Sequence, residues 1–303
     1  MLKRFLSNKL VEEKKMNDFA TKHIKILTNY KNKWLNLDTK PKETDEKEIE
    51  RFIKKMYRIC GIEKPIPIIW CSSPMSLLIS LTILKKANNN KKKDLRYPLA
   101  EAIEYYFMDK YWGTVLPESL WKQVVTEVFS NNCIKSGMTM TLPLWSNYRN
   151  ILSSLILDQN SLIRENKDQV EKFLPSLSVE MQIWEFLLRS TGNLMNTSIK
   201  TSGYGPKNIR LASELDFFRF GLNMIKETSQ AHPLIELSSN GCWVLPYKQV
   251  CWVSRHPEFI KTNIDGKLHS TEDYAVKYQD GWGFYAINGI SGSTKEGIVS
   301  RLR

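Results

Sequence analysis

Cysteine is scarce in this chain of 303 residues, and its five thiols lie far apart. Cys60, Cys71, Cys133, Cys242 and Cys251 contain no Cys-x-x-Cys pair. The odd count and wide spacing argue against a disulfide framework and for a reducing compartment. No two Cys or His sit at ligand spacing on a knuckle, so neither a metal nor another cofactor is expected. Long apolar runs are missing as well. The longest, Met75–Leu84, is about half a membrane span and carries Ser76, Ser80 and Thr82. Met1–Lys15 is basic but has no continuous apolar centre, so no secretory leader is read there. A soluble cytoplasmic protein with no membrane partner is the expectation. Thr201–Lys207 has glycines and a lysine but lacks the Gly-x-x-x-x-Gly-Lys order and the preceding strand of a phosphate loop.

What is present is ordinary globular usage, 42% hydrophobic and 25% charged, enough for one large domain or two tightly joined ones. The net charge of +12 is compatible with a polyanionic partner. The lysines are scattered, however, as in Asn88–Lys93, and acids are interleaved through Lys40–Lys55. No basic stripe with interleaved aromatics appears, so nucleic acid is permitted as a partner but not favoured. Another protein is the other candidate.

Apolar periodicity predicts helices over most of the chain. Phe19, His23, Ile26, Leu27, Tyr30, Trp34 and Leu37 form one stripe, on which His23 reads as a packed residue. Asp45 with Glu48 reads as a capping box opening a helix whose core face is Ile49, Phe52, Ile53, Met56, Tyr57 and Cys60, and Gly61 ends it. Ile66–Cys71 reads as a buried extended segment; Ser72 or Ser73 then caps a helix with Pro74 in its first turn. Ala87–Asp94 is expected to be a solvated loop. Further helices are expected at Pro98–Tyr111, from Pro117, at Val179–Leu188 and over Leu211–Ile225, with a loop at Thr191–Asn208.

From Gly241 the texture changes to short β-prone runs. Asp265-Gly266 and Asp280-Gly281 suggest tight hairpin turns in which both central residues take positive φ, and Asn288-Gly289 adds another turn signal. So small a sheet cannot bury its own face and should rest on helices. The expected class is α+β: a mainly α-helical body over residues 1–240, a C-terminal antiparallel β-meander packed on it over 241–290, and a loosely held tail over 291–303.

Several strings resemble a bacterial domain of unknown function, number 6745. They are the Trp34–Leu37 stretch, the Asp45–Gly61 helix, Ile68–Pro74, and above all Asp265–His269 with Glu272-Asp273 and Tyr278–Ala286. Arg255-His256-Pro257 sits where members carry an Arg-Pro-like element. Tyr274 and Asn288 depart from that pattern. The resemblance implies architecture and brings no activity with it.

Chemistry is richest near the C-terminus. His269 with Glu272 or Asp273 could act as a general base with an orienting acid, in a hydrolase or transferase. Arg255, His256, Trp282 and Tyr285 are candidate binding residues. A metal shared by His256 and His269, and a nucleophilic Cys71 at a helix start, are weaker alternatives. The bland account makes His269 and the carboxylates satisfy turn backbone, and makes Asp265 and Asp280 turn formers. Whether the chain is an enzyme stays open. The leading expectation is a non-catalytic interaction or regulatory module, because no catalytic constellation stands out while aromatic and His-bearing hairpins offer a recognition edge.

Overall fold

A computed structural model describes residues 19, 21–34, 45–89, 118–130, 144–154, 160–173, 179–191 and 209–302. Helices α1 (residues 21–34), α2 (Glu46–Ile59), α3 (Pro74–Asn89), α4 (Glu118–Ser130), α5 (Leu144–Leu152), α6 (Ser161–Phe173), α7 (Val179–Thr191), α8 (Ile209–Asp216), α9 (His232–Ser239) and α10 (Lys295–Leu302) surround two sheets. The strands are β1 (Ile68–Cys71), β2 (Val244–Pro246), β3 (Cys251–Ser254), β4 (Phe259–Ile260), β5 (Val276–Lys277), β6 (Gly283–Ile287) and β7 (Ile290–Gly292). The helix expected at Pro98–Tyr111, the glycine segment Thr201–Lys207 and Cys133 lie outside the described residues.

The local signals explain the helix ends. Asp45 Oδ1 accepts the Glu48 N–H at 3.0 Å and caps α2. The Glu48 side chain does not reach back as expected; it pairs with Arg51 at 3.1 Å. Gly61, at φ +77°, closes α2, with the Ile62 N–H bonded to the Tyr57 carbonyl. Ser73 and Ser76 cap α3 reciprocally: the Ser76 N–H donates to Ser73 Oγ at 3.0 Å and the Ser73 N–H to Ser76 Oγ at 3.2 Å. α3 continues to Asn89, past Ala87 where a loop was expected.

The expected α+β class is the one observed, with the C-terminal strands divided between two sheets. The first has order β1-β3-β2; β1 lies parallel to β3 (Ile69 opposite Trp252) and β2 antiparallel (Leu245 opposite Trp252). The extended segment seen in the sequence near Ile68 thus becomes an outer strand, reached from β3 only across a long connection, as parallel pairing requires. Alternation sends Ile69, Cys71, Leu245 and Trp252 into one core, shared with α3, α4 and α7. It sends Val244, Cys251 and Val253 into a second core, shared with α1, α2, α5, α6, α8 and α9.

The second sheet is antiparallel, β4-β5-β6-β7. Its inner residues Val276, Phe284 and Ala286 pack on α7, where Phe284 stacks on Phe186 with centroids 4.0 Å apart. The Asp-Gly turns differ from expectation. Only Gly266 and Gly281 take positive φ, and the Gly266 and Gly281 N–H groups bond to the Asn263 and Tyr278 carbonyls. These are three-residue turns with glycine in the left-handed position, where the strand regains register through a one-residue bulge. Asn288-Gly289 is the true two-residue turn, at φ +50° and +86°. Residues 291–302, expected as a loose tail, complete β7 and form α10, whose Ile298 is fully buried.

Trp34 and Trp252 are both buried, but Trp34 Nε1 donates to Asp216 Oδ2 at 2.8 Å while Trp252 Nε1 has no partner among the described residues. Replacing Trp34 by Phe removes a donor from a buried carboxylate and should cost about 2–3 kcal/mol. Trp252→Phe removes an unsatisfied N–H, so its cost should be smaller by about 1 kcal/mol or more. Urea denaturation of the two variants checks the order.

Candidate functional site

His269 Nδ1 accepts the Asn288 N–H at 3.1 Å and so braces the β6–β7 turn. Glu272 and Asp273 are exposed in the next loop, where Asp273 Oδ1 accepts the Tyr274 N–H at 2.7 Å and the Glu272 carbonyl accepts from Lys295. No hydrogen bond or ion pair among the described residues joins His269 to either carboxylate. Arg255 grips Glu46 in the first turn of α2, with Nε and one Nη at 2.8 and 2.5 Å from the same oxygen. Its guanidinium lies 5.7 Å from the Trp70 ring. His256 follows, half-buried, between β3 and β4. Trp282 is 4% exposed and belongs to the core, packed on Tyr278 and Phe284, so it offers no binding surface. Tyr285 is half-buried on the outer face of β6, its ring 4.5 Å from that of Tyr274. The described residues contain no cluster of three or more His, Cys, Asp or Glu able to hold a metal. No helix among them is long and apolar enough to cross a membrane.

Asp280 does more than form a turn. Its Oδ1 accepts the Trp282 N–H at 3.0 Å and its Oδ2 the Ser73 hydroxyl at 2.6 Å, while its carbonyl accepts from Ser119 at 2.5 Å. The carboxyl is buried, and desolvation holds its pKa above the usual carboxylate range against these donors. This is a clamp between the β5–β6 turn and the starts of α3 and α4. Cys71 is fully buried one strand-end away, as an inert thiol would be.

The principal charged cluster was not anticipated. The helix expected over Leu211–Ile225 ends at Asp216 and passes into a π-helical turn, Phe217–Gly221, followed by Asn223 at φ +57°. Such widened turns re-aim side chains. Asp216 is fully buried; its Oδ2 accepts from Lys33 at 2.5 Å and from Trp34, and its Oδ1 has no partner among the described residues. Arg219 donates from Nη1 to the Ile225 carbonyl at 2.7 Å and to Thr228 Oγ1 at 3.3 Å. Beyond it, His232 opens α9. Its Nε2 is 3.2 Å from Glu236 Oε1 and its Nδ1 is 3.4 Å from Lys55 Nζ on α2. An ammonium can only donate, so Nδ1 carries the lone pair and Nε2 the proton, which points at the carboxylate. Burial and the positive charges of Arg219, Lys55 and Arg51 push the imidazole pKa down to about 4. Burial and Arg219 lower that of Lys55 in turn. The arrangement keeps a neutral, oriented imidazole between an ammonium and a carboxylate. The one sequence signal for it was His232 four residues before Glu236, a spacing that places both on one helix face.

Set against known proteins, the chain matches no family model, no curated protein and no solved structure.

Glu214, buried beside Arg210 at 3.8 Å, has its pKa pushed up to about 7, chiefly by desolvation. Between the unfolded value near 4.5 and about 7 the native state binds the extra proton, so this group lowers stability as pH rises through that window. His232 acts oppositely: its native value is depressed, so its contribution is present above about 6.5 and is lost as pH falls toward 4. Glu214→Gln should therefore gain stability relative to the parent at pH 8 and not at pH 4, by about 1–3 kcal/mol between the two. Thermal melts at both pH values read this directly.

Proposed function

We propose that the protein is a non-catalytic interaction module that engages another protein through the outer face of its four-stranded sheet. The observation that carries this reading is the Tyr274–Tyr285 ring pair, half-exposed on the sheet face opposite α7, where α10 covers only the β6–β7 end and sets Lys295 5.6 Å from the Tyr285 ring. Phe259 lies outward as well, because its neighbour Ile260 packs on the core, and Lys261 stands 5.3 Å from its ring. Ile264 projects fully exposed from the tip of the adjoining turn. Rigid aromatic rings with low rotamer entropy are the usual anchors of protein contacts. The charges around them are mixed, Lys261 and Lys277 with Glu258 and Asp273, which favours a protein surface over a polyanion. A His269-based hydrolase has less support, because among the described residues His269 bonds to the Asn288 N–H and to neither expected carboxylate. The proposed likeness to the domain of unknown function 6745 family is carried by N-terminal strings including Ile68–Pro74 and, most specifically, by the 265–286 string, which contains β5 and most of β6.

A photo-crosslinking amino acid at position 259, in the cell that makes the protein, should yield one discrete adduct. The Tyr274→Ala/Tyr285→Ala variant should lose it with little change in melting temperature. No discrete adduct, or the same adduct from a crosslinker at the exposed Glu185 on α7, would contradict the proposal.

A further inference from the structure

We infer that the corner between α2 and α9, where the Lys55 ammonium meets the His232 imidazole, binds a phosphate group. The site is distinct from the sheet face and does not depend on that reading. Lys55 is half-buried, and its sole hydrogen-bond partner among the described residues is His232 Nδ1; no described carboxylate comes within 4.0 Å of it. This ammonium faces a neutral ring with no described carboxylate to match it, which leaves its charge available to a bound anion. The neighbouring groups do not supply the missing anion. Glu236 accepts the hydrogen bond from His232 Nε2–H, Glu48 is engaged by Arg51 at 3.1 Å, and the Asp216 carboxylate is held by Lys33 and Trp34.

Other features around the corner also suit an anion. Arg51 sits one helical turn before Lys55 on the same face of α2; its side chain is 70% exposed and stacks 4.9 Å from the Phe52 ring. Arg219, anchored below by its bonds to Ile225 and Thr228, adds a fixed positive charge that is felt at both Lys55 and His232. Phe52 and Phe220 flank the imidazole at 5.4 and 6.4 Å and lower the local dielectric, which strengthens any charge pair formed there. A phosphate accepting from Lys55, and from Arg51 turned away from its exposed pair with Glu48, would receive charge-assisted bonds from two directions. It would also free Nδ1, and its negative charge would favour imidazolium over imidazole, so binding and proton uptake by His232 are coupled. Phe220 is 46% exposed and offers a flat face to whatever the phosphate is attached to.

The test is an NMR titration of the full-length protein with inorganic phosphate at pH 7, with chloride at matched ionic strength as control, read at the His232 ring. Four histidines make the signals few, and His232→Gln assigns the resonance. The expected result is a saturable shift with a millimolar or tighter midpoint and a rise of at least about one unit in the His232 pKa. Lys55→Met should weaken binding at least about tenfold and Arg51→Gln, at an exposed position, about threefold, while Lys122→Met on α4 changes nothing. Phenyl phosphate in parallel separates the sources: tighter binding than phosphate marks an aromatic monoester, and equal binding marks the free ion. A shift that does not saturate, that chloride reproduces, or that survives in both Lys55→Met and Arg51→Gln overturns the inference.

Discussion

Strand β3 has water on no side. Its four residues are buried on both faces, β1 and β2 pair with its two edges, and the two cores of the molecule meet across it. Trp252 fills one core while Cys251 and Val253 fill the other. Every other placement follows from this strand. The Cys251 and Arg255 N–H groups bond to the Pro67 and Cys71 carbonyls, so residues 67–71 must lie beside it. Tyr57 reaches from α2 to the Tyr247 carbonyl at 2.6 Å, which sets the second layer of helices against its back. A backbone this deep requires all its polar groups to be paired within the fold, and no alternative register satisfies both faces.

Much of this architecture could be read from the residues, and the parts that could not share a cause. Helix α2 was legible from Asp45 to Gly61 because capping, periodicity and termination agree locally. The capped start of α3 at Ser73-Pro74 was legible for the same reason. The parallel pairing of β1 with β3 was not, since no local signal joins residues 68 and 251. Nor was the π-helical turn at Phe217–Gly221: its apolar spacing imitates a continuous helix, and the close approach at Gly221, where a Cβ would fall 3.1–3.2 Å from Phe217, Ile26 and Tyr30, exists only in the assembled fold. The Asp-Gly dipeptides marked turns correctly but not their length, because glycine alone satisfies a three-residue turn.

Proximity in sequence misdirected the reading of chemistry. His269, Glu272 and Asp273 are near neighbours along the chain, yet no hydrogen bond among the described residues joins the imidazole to either carboxylate; His269 and Asp273 each accept from a backbone N–H instead. Lys55 and His232 are 177 residues apart and touch. Asp280, read as a turn former, turned out to be a buried carboxylate tying three elements together through Ser73, Trp282 and Ser119. Long-range polar contacts of this kind appear only once the fold is assembled, which is why charged side chains on helix faces read as solvated until their partners are known. The sheet face proposed to engage a partner and the corner proposed to hold phosphate lie against different cores.

Native-state hydrogen exchange tests the dependence on β3 most directly. If one strand serves both cores, the Cys251 and Arg255 amides should exchange only through global unfolding, with the same free energy as the most protected amides of α2 and β6. Exchange of β3 at a lower free energy, while the helices around α2 stay protected, would mean that the two cores are separate units and would contradict the account.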